Sequence, residues 1–205
     1  MKIKVCGMKV PENIEALVEL APDYMGFICY AKSPRYVAGL DADVLQKIPS
    51  SIIKTGVFVN EGAETIRTLI AEYSLNAMQL HGNETADFCG MLRSKVTVFK
   101  AFGIDEQFDF DQLNAYADNV DYFLFDTKTD THGGSGKTFD WGVLNRYKLE
   151  VPFFLSGGLS LDNLQSVKQI KHPAFYGVDL NSRFETEPGL KDITKLREAF
   201  KILRD

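Results

Sequence analysis

Residues 121–141 read DYFLFDTKTDTHGGSGKTFDW, and the interpretation of the whole chain depends on this stretch. Its segment Tyr122–Phe125 is a short aromatic and apolar run, which is typical of a strand buried on both faces. The run ends on Asp126, and a polar, glycine-rich loop follows. The loop closes at Asp140, whose side chain is expected to cap a helix that begins at Trp141. A strand that delivers a carboxylate to a loop is one way to build an active site.

The same strand-then-helix pattern recurs about eight times at a spacing of roughly 25 residues. Strands are predicted at Ile3–Cys6, Tyr24–Tyr30, within Ile52–Asn60, and at Ala77–Leu80, Val96–Phe102, Tyr122–Phe125, Pro152–Leu155 and Ala174–Leu180. Helices are predicted from Pro11, near Asp41–Ile48, at Glu64–Tyr73, Glu84–Leu92 and Phe108–Ala117, from Trp141, and at Leu161–Ile170 and Ile193–Leu203.

Regular alternation indicates parallel strands joined by helical crossovers, hence a closed barrel or an open doubly wound sheet. No Gly-x-Gly-x-x-Gly follows the first strand, as a dinucleotide-binding sheet would require. Eight units favour the closed (β/α)8 TIM barrel, here as one compact domain over residues 1–205.

Composition narrows the class of protein further. The net charge of −5 disfavours nucleic acid and anionic membranes as main partners. No apolar run reaches the roughly 18 residues of a membrane span, and the N-terminus enters a strand pattern without a signal peptide. The three cysteines are odd in number and widely spaced, so we expect reduced thiols and a cytoplasmic protein. We expect a monomer or a homodimer.

In a barrel of this kind the chemistry lies at the carboxyl ends of the strands. The residues predicted at those ends are Cys6, Arg35, Asn60, His81, Asp126, Ser156, Gly157, Gly158, Asp179, Asn181 and Ser182. Gly157-Gly158 follows the seventh strand and Asn181-Ser182 the eighth, where barrel enzymes often bind a phosphate. The alternative for the glycines is a simple turn before a helix.

Cys6 and Asp126 are candidates for acid–base chemistry. An isolated Asp after a strand is more often a cap, and an isolated Cys is more often a small buried hydrophobe, which is our interpretation of Cys29 and Cys89. A thiol needs nearby cations, such as Lys4 or Arg35, or a helix terminus to become an effective base. An Asp needs apolar surroundings to stay protonated as an acid.

Two further rim residues have open interpretations. Arg35 follows Ser33-Pro34 on a stiffened loop, where its planar guanidinium group suits a carboxylate. The commoner alternative is a solvated charge on a surface loop. His81 either contacts a substrate or hydrogen-bonds the rim. His132 and His172 are expected on surface loops. No pair of histidines or cysteines has metal-ligand spacing, so we predict no metal.

The chain resembles the phosphoribosylanthranilate isomerase family of tryptophan biosynthesis over nearly its whole length. The matching segments are Lys4–Met8, Gly26–Ile28, Ser33–Arg35, Gly56–Asn60, Gln79–Gly82, Asp126, Gly133–Trp141, Ser156–Leu159 with Asn163, Gly177–Ser182, Glu185, Pro188-Gly189 and Lys191-Asp192. One departure is Arg183-Phe184, where the family usually has a small residue followed by Val. This departure concerns the detail of the phosphate loop.

The resemblance implies a cofactor-free Amadori rearrangement of N-(5-phosphoribosyl)anthranilate within a (β/α)8 barrel. It implies that Asp126 is the general acid that opens the furanose ring and that Cys6 is the general base at the sugar C2. Arg35 would hold the anthranilate carboxylate, and Asp179 would lie near the sugar. The resemblance places the phosphate on Gly157, Gly158, Asn181 and Ser182.

Three alternatives remain open at this point. A histidine-pathway relative performs the same chemistry, but it usually has an acid at the first strand end and clear half-barrel duplication. A lyase or decarboxylating synthase would need a strand-end lysine, for which Lys100 is the candidate. A barrel that only binds phosphate would not need Cys6 and Asp126 together.

Overall fold

The computed structural model describes residues 1–93, 96–128 and 139–205. Eight parallel strands close into a barrel in sequence order, and the first strand pairs with the eighth. The strands are β1 Lys2–Val5, β2 Tyr24–Ile28, β3 Ile53–Phe58, β4 Ala77–Leu80, β5 Thr97–Ile104, β6 Tyr122–Thr127, β7 Phe153–Leu155 and β8 Phe175–Leu180. The predicted (β/α)8 barrel is therefore confirmed, with strand limits shifted by a few residues at most.

Helices follow the strands around the outside of the barrel. The α-helices are α1 Pro11–Val18, α2 Ala42–Gln46, α3 Ala63–Glu72, α4 Ala86–Leu92, α5 Leu164–Val167 and α6 Ile193–Arg204. After β5 and β6 the structure has 3-10 helices, Phe110–Tyr116 and Trp141–Arg146, where the sequence pattern indicated ordinary helices. Over six or seven residues an apolar pattern does not separate three from 3.6 residues per turn.

Aspartates begin both 3-10 helices. The Asp109 carboxylate accepts the Asp111 N–H, and the Asp140 carboxylate accepts the Gly142 N–H. Each bond satisfies a backbone donor that has no partner within its helix. The cap predicted at Asp140 is therefore confirmed.

The barrel wall separates two apolar clusters because successive side chains of a strand point to opposite faces. On β1, Ile3 and Val5 pack outward against the helices, so Lys4 and Cys6 point into the barrel. The interior cluster closes the lower part of the barrel with Tyr24, Ala77, Phe99, Ala101, Leu124 and Phe154. Polar side chains occupy the interior above this cluster, toward the carboxyl ends of the strands.

A short antiparallel hairpin follows β8 and was not predicted. It consists of β9 Glu185–Glu187 and β10 Leu190–Lys191, joined through Gly189 at a φ of +90°. Asn13 of α1 ties the hairpin to the first βα unit, because its amide exchanges hydrogen bonds of 2.9 and 2.7 Å with the backbone of Lys191. The hairpin thereby brings Glu185 and Lys191 to the rim of the barrel.

Candidate active site

A cavity opens at the carboxyl ends of the strands, where barrel enzymes have their active sites. Its lining includes Cys6, Arg35, Gln79, His81, Asp126, Ser156, Asp179 and Asn181, together with apolar groups from β2 and β3. Six of the residues predicted as site residues, Cys6, Arg35, His81, Asp126, Asp179 and Asn181, therefore lie around one chamber. The chain brings them together from positions up to 175 residues apart.

Asp126 is the penultimate residue of β6 and points into this chamber. Its Oδ1 accepts the Thr127 backbone N–H at 2.8 Å, and its Oδ2 lies 3.6 Å from His81 Nε2. Burial raises the pKa of Asp126 to about 6, because desolvation and the nearby Asp179 outweigh the Thr127 hydrogen bond and Lys4. A carboxyl with this pKa can keep its proton close to neutral pH.

Cys6 lies opposite, directly after β1, and its side chain is buried against the chamber. Burial raises the pKa of its thiol, and Asp179 adds to the rise, while Lys4 and Lys191 oppose both effects. Gly26 gives the sulfur its space, since a Cβ at that position would lie 2.7 Å from the Cys6 Sγ. The structure thus places a thiol and a carboxyl of different proton affinity in one cavity.

Lys4 and Asp179 form a buried ion pair beneath the chamber. The Lys4 Nζ donates to Asp179 Oδ2 at 3.0 Å, and Lys4 lies two residues before Cys6 on the same interior face of the barrel. Burial lowers the pKa of Lys4, but Asp179 and Cys6 more than offset this, so its net pKa is raised. Among the described residues, the buried Oδ1 of Asp179 has no hydrogen-bond partner. The ion pair thus leaves one buried carboxylate oxygen unsatisfied within the part of the chain that the structure describes.

His81 follows β4 and lines the cavity beside Asp126. Its Nδ1 lies 2.6 Å from the Nε2 of the buried Gln79, two residues earlier on the same strand face. With the Gln79 amide donating to Nδ1, the imidazole would carry its proton on Nε2, the atom that faces Asp126. His81 is therefore positioned to contact the carboxyl as well as a ligand.

Arg35 reaches the cavity wall from the loop after β2, and its guanidinium group is already paired with the Glu185 carboxylate. Its Nε lies 3.0 Å from both carboxylate oxygens of Glu185, and its Nη2 donates to Glu185 Oε2 at 2.6 Å. The Lys191 Nζ donates to Glu185 Oε1 and to Asn181 Oδ1, each at 2.6 Å. In the described part of the chain, Nη1 is the nitrogen through which Arg35 can still bind a ligand anion.

A second chamber of about 320 Å³ adjoins the first and is lined by the β7 and β8 loops. Its lining includes the predicted phosphate-binding residues Gly157, Gly158, Asn181 and Ser182, and it shares Ser156 and Asp179 with the main cavity. Both glycines have left-handed backbones, with φ of +82° for Gly157 and +64° for Gly158. A Cβ on Gly157 would lie 2.6 Å from Asp126 Oδ1, so the turn and the carboxyl need this glycine.

Lys100 does not fit the alternative of a Schiff-base lysine. Its amine is buried and donates to the carbonyl oxygens of Leu80, Gly82 and Ala101 at 3.3, 2.8 and 3.0 Å, with Glu84 at 3.2 Å. Glu84 in turn accepts the Gly82 N–H at 2.9 Å. Lys100 and Glu84 therefore hold the loop that carries His81, and the amine is not directed at the cavity.

The sequence analysis assigned no role to Gln79, Glu185 or Lys191. The alternation of side chains along a strand could have identified Gln79, because Gln79 and His81 are two residues apart and therefore lie on the same face. The contact of Glu185 with Arg35 spans 150 residues and has no local signal. The glycine-rich segment 129–138, which includes the expected surface residue His132, lies outside the described residues.

Two features are absent from residues 1–93, 96–128 and 139–205. No group of three or more His, Cys, Asp and Glu in these ranges is arranged to hold a metal ion. None of their helices is long and apolar enough to cross a membrane.

The fold and the site together define a barrel enzyme in which a carboxyl and a thiol share a cavity that adjoins the chamber of Gly157 and Gly158. The family model described as N-(5'-phosphoribosyl)anthranilate (PRA) isomerase matches residues 3–202. The N-(5'-phosphoribosyl)anthranilate isomerase of Parabacteroides distasonis is 45% identical over 200 residues, covering 96% of this chain and 90% of that protein. The chain belongs to this family and is an isomerase of tryptophan biosynthesis.

Solved structures agree with this assignment. The crystal structure of phosphoribosyl anthranilate isomerase from Thermotoga maritima has a TM-score of 0.88 and 33% identity, covering 100% of this chain and 98% of that chain. A phosphoribosyl anthranilate isomerase crystallised with reduced 1-(o-carboxyphenylamino)-1-deoxyribulose 5-phosphate has a TM-score of 0.85 and 29% identity, with the same coverage. The barrel described above is therefore the barrel of these isomerases.

Proposed function

We propose that this chain converts N-(5'-phosphoribosyl)anthranilate to 1-(2-carboxyphenylamino)-1-deoxyribulose 5-phosphate, with Asp126 as general acid and Cys6 as general base. The observation that carries the proposal is the shared cavity, which both side chains line beside an anion pocket. This reaction needs a general acid, a general base and a phosphate-binding site at the same end of the barrel. The cytoplasm remains the expected location.

The first step is ring opening. Asp126 gives its proton to the furanose ring oxygen, the C1–O bond breaks, and the nitrogen lone pair forms a C1=N iminium ion. A carboxyl with a pKa of about 6 is a stronger proton donor than a thiol and is still partly protonated near neutrality. The negative charges of the substrate add to the effect of Asp179 and favour the protonated form further.

The second step is deprotonation at C2. The Cys6 thiolate removes this proton, and the C–H electron pair forms C1=C2 as the iminium nitrogen becomes neutral. The resulting enolamine gains a proton at C1 and loses the O2 proton to give the ketose. Because the iminium ion is the electron sink, this sequence requires no cofactor.

The remaining contacts follow from the two chambers. The phosphate occupies the pocket of Gly157, Gly158, Asn181 and Ser182, where open backbone N–H groups suit an oxyanion. Asp179 lies near the sugar, because it lines both chambers. The anthranilate carboxylate lies toward Nη1 of Arg35, and His81 lies beside the ring-opening site.

Turnover and binding measured separately test the two roles. We expect Asp126→Asn to lose turnover by at least a hundredfold and to bind a reduced product analogue within about threefold of wild type. Cys6→Ser should behave similarly, because a hydroxyl is a far weaker base at C2. The matched control is Cys29→Ser, since Cys29 is buried outside the cavity and donates only to the Phe27 carbonyl. Wild-type turnover in either test variant would contradict its assigned role.

A further inference from the structure

The Cys6 thiol poses a problem for any reaction in which it acts as a base. Its burial raises its pKa, so that the thiolate is a minor species at neutral pH. A buried anion of this kind forms only where a fixed positive charge is close by. The environment of the sulfur therefore identifies the group that makes the thiolate accessible.

Lys4 is the cation that shares the interior face of the first strand with Cys6. It lies two residues earlier on β1, on the same interior face, and its side chain is fully buried. A charged lysine is rarely buried to this extent without a partner, and the partner of the Lys4 Nζ is Asp179 Oδ2 at 3.0 Å. In the described part of the chain, the other charged or titratable groups around the chamber are Tyr30 and Arg35 after β2, His81 after β4, Asp126 on β6, Glu185 on β9 and Lys191 on β10.

We propose that Lys4 is a positioning residue that serves as the counter-ion of the Cys6 thiolate and is shared with Asp179. The proposal rests on the role of Cys6 as base. Asp179 holds the ammonium group of Lys4 near the Cys6 sulfur. The carboxylate and the thiolate also compete for this ammonium group, because each of them would pair with it. The second oxygen of Asp179 is buried and has no hydrogen-bond partner in the described residues, so Lys4 is the cation that holds this carboxylate.

Substitutions of Lys4 and of Asp179 should shift the pKa of Cys6 in opposite directions. Removing the ammonium group leaves Cys6 beside a carboxylate and disfavours the thiolate. Neutralising Asp179 leaves the full positive charge to Cys6 and favours the thiolate. A purely structural role for this pair would not produce shifts of opposite sign, so their direction separates the two explanations.

The test is the pH dependence of Cys6 alkylation by iodoacetamide in the full-length protein, followed by mass spectrometry of the Cys6 peptide from pH 6 to 10. We expect Lys4→Met to slow alkylation at pH 8 at least tenfold and Asp179→Asn to accelerate it, since each pKa unit changes the thiolate fraction about tenfold. Lys4→Arg should recover most of the rate because it keeps the charge. The control is Lys54→Met, which removes a buried barrel lysine that donates to the Leu45 carbonyl instead.

A wild-type profile for Lys4→Met, or shifts of the same sign in both variants, would overturn the proposal. If Lys4→Met does not fold, because Asp179 is left as an unpaired buried charge, the double variant Lys4→Met/Asp179→Asn is compared with Asp179→Asn: alkylation at least tenfold slower in the double variant supports the proposal, and equal rates overturn it. Alkylation requires no turnover. Failure of the proposed role of Cys6 as base would instead appear as wild-type turnover in Cys6→Ser, and failure of the proposed reaction as no turnover by wild type, with the alkylation profiles unaffected in both cases.

Discussion

Asp126 is a residue whose environment favours function at the expense of stability. Its pKa is about 6 in the folded chain, against about 3.9 expected for the unfolded chain. Below pH 4 both states are protonated, and the carboxyl has no net effect on the free energy of unfolding. As the pH rises toward 6 the unfolded state loses its proton first, so the folded state loses stability, by up to roughly 3 kcal/mol above pH 6.

Asp126→Asn should therefore stabilise the protein at neutral and alkaline pH. We expect its free energy of unfolding, relative to wild type, to increase between pH 4 and pH 6 and to remain constant above, with a total change of about 2–3 kcal/mol. Urea denaturation across this range measures it. Asp162→Asn is the control, because that carboxylate is exposed to water. A difference that does not change with pH would contradict the assignment.

In the proposed mechanism, the loop after β7 joins phosphate binding to acid catalysis. Gly157 adopts a left-handed backbone with a φ of +82°, and its Cα faces the β6 terminus so closely that an added Cβ would lie 2.5 Å from the Thr127 nitrogen. We expect Gly157→Ala to lower kcat/KM at least tenfold, because the loop must shift away from Asp126 and distort the anion pocket. Steady-state kinetics and phosphate competition measure both consequences.

Gly62→Ala is the matched control for this loop. Gly62 precedes α3 with a φ of −70°, and nothing lies within 4 Å of the Cβ that the substitution adds. Its kinetics should match those of wild type. If Gly157→Ala also keeps wild-type kinetics and phosphate affinity, the β7 loop does not have the function described here.

At the scale of the whole molecule, the barrel provides all the groups that the proposed chemistry uses. The iminium ion withdraws the C2 electrons, and Asp126 and Cys6 carry the protons. We therefore expect prolonged dialysis of the protein against EDTA to leave kcat/KM within about twofold of its initial value. A large loss that added zinc or magnesium restores would show that a metal takes part.

The sequence predicts the barrel well because its information is local. β4 has the predicted limits, Ala77–Leu80, and the strand-end rule places Cys6, His81 and Asp126 at one mouth. The contacts that refine the site are not local. Arg35 pairs with Glu185 and Lys4 with Asp179 across 150 and 175 residues, and no pattern along the chain determines such pairs. The left-handed φ of Gly157 likewise depends on how β6 and β7 pack.

The measurement that tests the central claim most directly is the decay of phosphoribosylanthranilate fluorescence. The substrate is generated in situ from anthranilate and phosphoribosyl pyrophosphate, and wild type, Asp126→Asn and Cys6→Ser are added in parallel. We predict rapid loss of fluorescence with wild type, and with either variant only the slow decay seen without protein. No acceleration by wild type would contradict the proposed reaction, and wild-type decay with either variant would contradict the acid–base pair.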